Sequence, residues 1–154
     1  MYQFSKAYEL LSVWSKGTSL YARWASLCEI GYPELMVLYA LHAKDRLAQK
    51  TITEEFGLIK ATVSTVIRDL KKRGLIILEA SKEDKREKLV VFTEEGKKYA
   101  ENLIQPLLEA EERIMKKIGD ERMEQIIDTL DLFNILFEKE LKGRIKNERN
   151  QDFL

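Results

Sequence analysis

A mostly α-helical chain with one small β-hairpin, an α+β arrangement, is the fold class this sequence predicts. Three observations carry it. Both ends repeat apolar residues at three- and four-residue spacing, a middle segment fits two short helices around a glycine, and two apolar runs of strand length flank a charged interval. The 154 residues are the length of one ordinary domain, and 45% hydrophobic with 34% charged residues excludes a wholly disordered or collagen-like chain.

In the first helix the seam is Phe4, Ala7, Leu11, Trp14, Thr18, Tyr21, Ala25 and Cys28, thickened by Leu10, Leu20, Trp24 and Leu27. One small neighbour could not cover so much apolar surface. Gly31 is expected to stop this helix, and Pro33, suited to a first helical turn, to open a second one through about Ala43. The last third reads as two more helices, with Thr93 and Asp120 as their caps. Pro106 should bend the first of these by removing one backbone hydrogen bond, without marking a domain boundary. In the final helix Ile126, Leu130, Phe133, Phe137 and Leu141 form one stripe, after which the polar segment 144–154 reads as a flexible tail.

Between these ends, Gln49 to Leu70 fits two short helices joined by a tight turn. Ile52 and Phe56 would face inward from the first and Val63, Val66, Ile67 and Leu70 from the second, with Gly57 supplying the backbone shape that a turn demands. Lys60, Thr62, Ser64, Thr65 and Arg68 then point away from the apolar stripe, where they could bond base edges or phosphates in a major groove. Lys71, Lys72 and Arg73 end that helix in a basic turn, with Gly74 available for a left-handed cap. Leu75 to Leu78 and Leu89 to Phe92 make the hairpin, whose charged tip, Glu79 to Lys88, places Arg86 where a minor groove would attract it.

Charge is zero overall but segregated. Residues 58–92 hold nine basic against five acidic residues, a net +4, whereas 94–143 holds eight against thirteen, a net −5. The cationic excess thus falls on the helix pair and hairpin. The lone Cys28 and single His42 cannot assemble a structural zinc site, so neither metal nor cofactor is expected. No apolar run approaches a membrane span and no secretory leader is visible, which points to the cytoplasm. There is no nucleophile motif, no phosphate-cradling glycine loop and no histidine pair, and an enzyme is not expected.

Asp84-Lys85-Arg86 followed by Leu89-Val90-Val91-Phe92-Thr93-Glu94-Glu95-Gly96 resembles the wing signature of the MarR family of bacterial and archaeal regulators, and the resemblance runs from the first helix to about Leu141. It implies a winged helix-turn-helix DNA-binding domain at 31–93 and a helical dimerisation region from 1–30 and 94–143. The DNA contacts it implies are Lys60, Ala61, Thr62, Ser64, Thr65, Arg68 and Lys72 on the second helix of the pair, and Lys85 and Arg86 on the wing, with Asp84 supporting it. Ile59 departs from the Ser or Thr usual as that helix's cap.

Double-stranded DNA with a pseudo-palindromic operator, a second copy of the chain and a small-molecule or oxidant effector are the partners so implied. Repression is expected over activation. With the clustering of Trp14, Tyr21, Trp24, Tyr32 and Tyr39, the resemblance implies an effector pocket lined by these rings; core and dimer packing is the plainer role for them. Cys28 closes an apolar seam and reads as inert packing rather than a redox sensor. The competing function is a winged-helix scaffold for protein contacts that does not bind DNA.

Overall fold

The computed structural model of the chain describes residues 2–83 and 86–151. The elements in order are α1 (Tyr2–Leu27), α2 (Tyr32–Lys44), β1 (Arg46–Ala48), α3 (Gln49–Glu55), α4 (Lys60–Lys72), β2 (Ile76–Ala80), β3 (Lys88–Phe92), α5 (Glu94–Ile118) and α6 (Asp120–Gln151). They form two compact units, one ending at Leu107 and the other beginning at Leu108. The division falls inside α5, directly after Pro106, where the sequence predicts a bend and no boundary.

In the first unit α2 is the central element. Leu35, Met36, Val37, Leu38, Ala40 and Leu41 are all buried, and a helix that is apolar on nearly every side belongs in a core. It packs against α1, α4 and β1. From α5, Ala100, Ile104 and Leu107, spaced four and three apart, are buried as well.

The sheet has three antiparallel strands in the order β1-β3-β2, with Leu47 opposite Val90 and Leu78 also opposite Val90. Val90 and Phe92, two apart on the middle strand, are buried. The sequence predicts only the β2–β3 hairpin. Strand β1 escapes notice because three residues are too few to display an alternation.

Three helices end in the same way. After α1, α3 and α4, a residue with φ near +60° lets the next amide donate back to a carbonyl five residues earlier: Ile30 to Ala25, Leu58 to Thr53 and Leu75 to Leu70. Gly57 and Gly74 occupy two of these left-handed positions, as expected, but Glu29 occupies the first, so α1 stops at Leu27 rather than at Gly31. Gly31 instead precedes α2 as its N-cap residue.

At the other end of the chain, Asp120 is the first residue of α6 rather than its cap; Gly119, at φ 93, fills that place. Helix α6 also continues past Leu141 to Gln151, although the sequence loses its apolar period there. Of α6's apolar stripe, Ile126, Phe133, Phe137 and Leu141 are exposed.

Candidate nucleic-acid interface

Helices α3 and α4 meet across the four residues Phe56 to Ile59. Their facing sides are apolar, with Ile52 on α3 and Val63, Ile67 and Leu70 on α4 fully or almost fully buried. On the opposite side of α4 lies a line of exposed residues, Ala61, Thr65, Arg68 and Lys72, spaced four, three and four. Thr65 Oγ1 donates to the Ala61 carbonyl at 3.0 Å and receives Arg68 Nη2 at 3.4 Å. The guanidinium is thereby held over the middle of the line.

The other predicted contacts on α4 distribute differently. Lys60 is exposed on one flank of the line, and Thr62 is half-buried on the other. Ser64 is half-buried and accepts a hydrogen bond from the Gln49 side-chain amide of α3, so it joins the two helices instead of standing with Arg68. From the sequence both flanks look alike. Which one α3 covers is decided by the packing angle between the helices.

Ile59 caps α4 with no side-chain hydrogen bond, as the sequence anticipates, and is 73% exposed. The first amides of α4 therefore receive no side-chain oxygen from their own cap.

On the hairpin, Ser81 closes the loop after β2: its amide donates to the Glu87 carbonyl at 2.9 Å, and its hydroxyl accepts from the Glu83 amide at 3.3 Å. Arg86 stands in the turn beyond, exposed. Asp84 and Lys85, expected as wing support and DNA contact, lie outside the described residues.

A cluster that carries no signal in the sequence fastens the far end of α4. Arg73 Nη1 donates to Glu34 of α2 at 2.8 Å and to Asp69 at 3.2 Å, and its guanidinium carbon stands 4.8 Å from the centre of the Tyr99 ring of α5. Tyr99 in turn donates its hydroxyl to the same Glu34 oxygen at 3.1 Å. Burial works against the guanidinium's charge, but its interactions with Tyr99, Glu34 and Asp69 outweigh this and raise its pKa. Counting charges puts Arg73 with the basic turn; Asp69 is one helical turn away, but Glu34 lies 39 residues before it and Tyr99 26 after, too far apart for any local pattern to show them.

Next to it, Thr93 Oγ1 donates to the Gly74 carbonyl at 2.8 Å and accepts the Gly96 amide at 3.0 Å, capping α5 as predicted.

Of the aromatic residues expected around an effector, Trp14 lines a hollow on α1. The hollow measures about 370 Å³, and Leu11, Ser15 and Thr18 line the rest of it. Trp14 and Tyr21 are exposed, while Trp24, Tyr32 and Tyr39 are half-buried. Cys28 is half-buried at the end of α1, and His42 is exposed. Among the described residues no group of three or more His, Cys, Asp or Glu could hold a metal ion, and no helix is long and apolar enough to cross a membrane.

A family model described as MarR family matches residues 30–87, from the start of α2 to the wing loop. The HTH-type transcriptional regulator YwoH of Bacillus subtilis is 33% identical over 97 residues, which is 63% of this chain and 70% of the relative. The chain belongs to the MarR family. A solved MarR family regulator from Neisseria meningitidis superposes with a TM-score of 0.80 at 28% identity, over 94% of this chain and 99% of the other. An organic hydroperoxide resistance transcriptional regulator of Bacillus subtilis is 31% identical over 67 residues, 44% of this chain and 46% of its own length. This MarR family member is a winged helix-turn-helix transcription regulator that binds DNA, and the family is dimeric.

Proposed function

We propose that two copies of the chain, joined through the helices of 1–30 and 94–143, lay their α4 helices into successive major-groove faces of one pseudo-palindromic operator. The observation that carries this reading is the exposed line of Ala61, Thr65, Arg68 and Lys72 on α4. Ala61 lets the backbone approach the groove, Thr65 and Arg68 bond base edges, and Lys72 bonds a phosphate. Lys60 and Thr62 contribute from the flanks, and Arg86 enters the minor groove beside each half-site. Half-sites then lie about one helical turn apart.

Occupying a promoter is enough to repress it, so repression is the mode assigned. The protein regulates rather than catalyses, and works where the chromosome is, in the cytoplasm. A small-molecule or oxidant effector acts by binding one separation of the two α4 helices better than another, which shifts operator affinity.

The test is a salt titration of binding to duplexes selected by the protein from a random pool. Arg86→Ala should weaken binding and reduce the slope of log affinity against log salt by about one unit for each phosphate-like interaction that the arginine makes. Arg68→Ala should change which sequences are selected. A wild-type chain that ignores every duplex in dilute salt would leave the scaffold reading standing in its place.

A further inference from the structure

Helix α4 is held unequally at its two ends. At its start, Ile59 offers no capping side chain. At its end, three consecutive residues are fastened to other elements: Arg73 to Glu34 and Tyr99, Gly74 to Thr93, and Leu75, whose carbonyl accepts the Thr93 amide at 3.1 Å. Of these three residues only Arg73 acts through a charged side chain, and it touches α2 and α5 at once. Its side chain is 36% exposed and that of Glu34 16%, so solvent screens the pair less than it screens an ordinary surface pair. The guanidinium donates to a carboxylate while its central carbon stands over an aromatic ring, a combination that a lysine ammonium does not reproduce.

We propose that Arg73 is a positioning residue for DNA reading: bound to Glu34 and stacked on Tyr99, it sets the inclination of the recognition helix and makes no DNA contact of its own. The proposal rests on the reading of α4 as that helix. Its cation is engaged by groups of the protein itself, unlike Lys60, Lys71 and Lys72, which form no ion pair among the described residues. The line Ala61–Thr65–Arg68–Lys72 spans three turns of helix, so a small tilt about its anchored end displaces Ala61 most. Disruption of the joint should therefore be felt first at the base contacts near the start of α4.

The experiment measures affinity, salt slope and thermal midpoint of the full chain on a duplex selected by the wild type and on a scrambled duplex of equal length. Arg73→Gln should weaken specific binding by about tenfold, leave binding to the scrambled duplex unchanged, and leave the salt slope unchanged on both. Arg73→Lys should recover only part of that affinity. Tyr99→Phe keeps the ring and removes one hydrogen bond, a change too small to prevent folding. It should weaken specific binding about two- to threefold, and should add nothing in a Glu34→Ala background, where the oxygen that accepts its hydroxyl is gone.

A slope reduced by about one unit in Arg73→Gln would make Arg73 a phosphate contact and overturn the proposal. So would a lowered thermal midpoint with specific affinity intact, which would leave it a stabilising residue alone. A wild type that binds no duplex would fail earlier, and would take the DNA-reading function with it.

Discussion

At position 96 a methyl group would stand 1.8 Å from the Leu75 carbonyl oxygen and 2.7 Å from its carbon. Backbone cannot yield as a flexible side chain would, so the glycine is required by close approach and not by its own torsion. An alanine on an open helix surface would be favoured over glycine; here the overlap reverses the sign. Gly96→Ala should cost about 3 kcal/mol in denaturant-induced unfolding. A variant as stable as wild type would mean that α5 and the end of α4 have room to move apart.

Ile59 supplies the opposite case, a position where the local rule is broken and nothing visible compensates. Ile59→Ser should add about 1 kcal/mol of stability by giving α4 a cap, with the sacrifice of burial kept small because the isoleucine is largely exposed. An unfolding midpoint that does not rise would reject the cap argument. The roles of Gly57, Gly74 and Thr93 are legible in the sequence, because turns and caps select residues through backbone geometry within a few positions. That of Glu29 is not, since glutamate carries no left-handed preference to betray it.

Among the elements, the helix pair and hairpin follow from short-range pattern, but the joint that binds α2, α4 and α5 does not. Its chemistry has a consequence at high pH. Burial penalises the Tyr99 phenolate and raises its pKa above the ordinary 10.0, and the neighbouring Glu34 carboxylate adds to this while Arg73 opposes it. A group whose folded pKa is raised gives stability that is fully present below pH 10.0 and is lost as pH rises through the folded value. Tyr32, also raised by burial, adds in the same direction. Stability measured by chemical denaturation should therefore fall on going from about pH 9 to pH 11, and Tyr99→Phe should flatten that fall. Identical slopes for the two proteins would remove Tyr99 from the account.

For the whole molecule, the apolar faces of α1 and α6 demand a partner. Leu11, Trp14 and Tyr21 on one side of α1, and Ile126, Phe133, Phe137 and Leu141 on one side of α6, are all exposed, and Phe133 stacks on Phe137 with ring centres 5.9 Å apart. A 32-residue helix with such a face left in water gains little from forming alone. Phe137→Asp should raise the dimer dissociation constant by about a hundredfold or more, since each copy forfeits the burial of an aromatic side chain. Sedimentation at varied concentration would show it, with helix content retained. A variant that stays as dimeric as wild type would place the shared surface elsewhere.

Local pattern alone was enough for the helical class, the turn glycines, the cap at Thr93 and the basic character of 58–92, because each depends on residues within about one or two turns of one another. It also exposed the apolar excess of the terminal helices, since amphipathic period survives whether or not a partner is present. Three-dimensional packing was needed to show that Ser64 faces α3, that Arg73 is engaged between Glu34 and Tyr99, that a third strand joins the sheet, and that Gly96 must lack a side chain. Those depend on packing angles and on meetings between residues far apart in the chain, which no short stretch of sequence encodes.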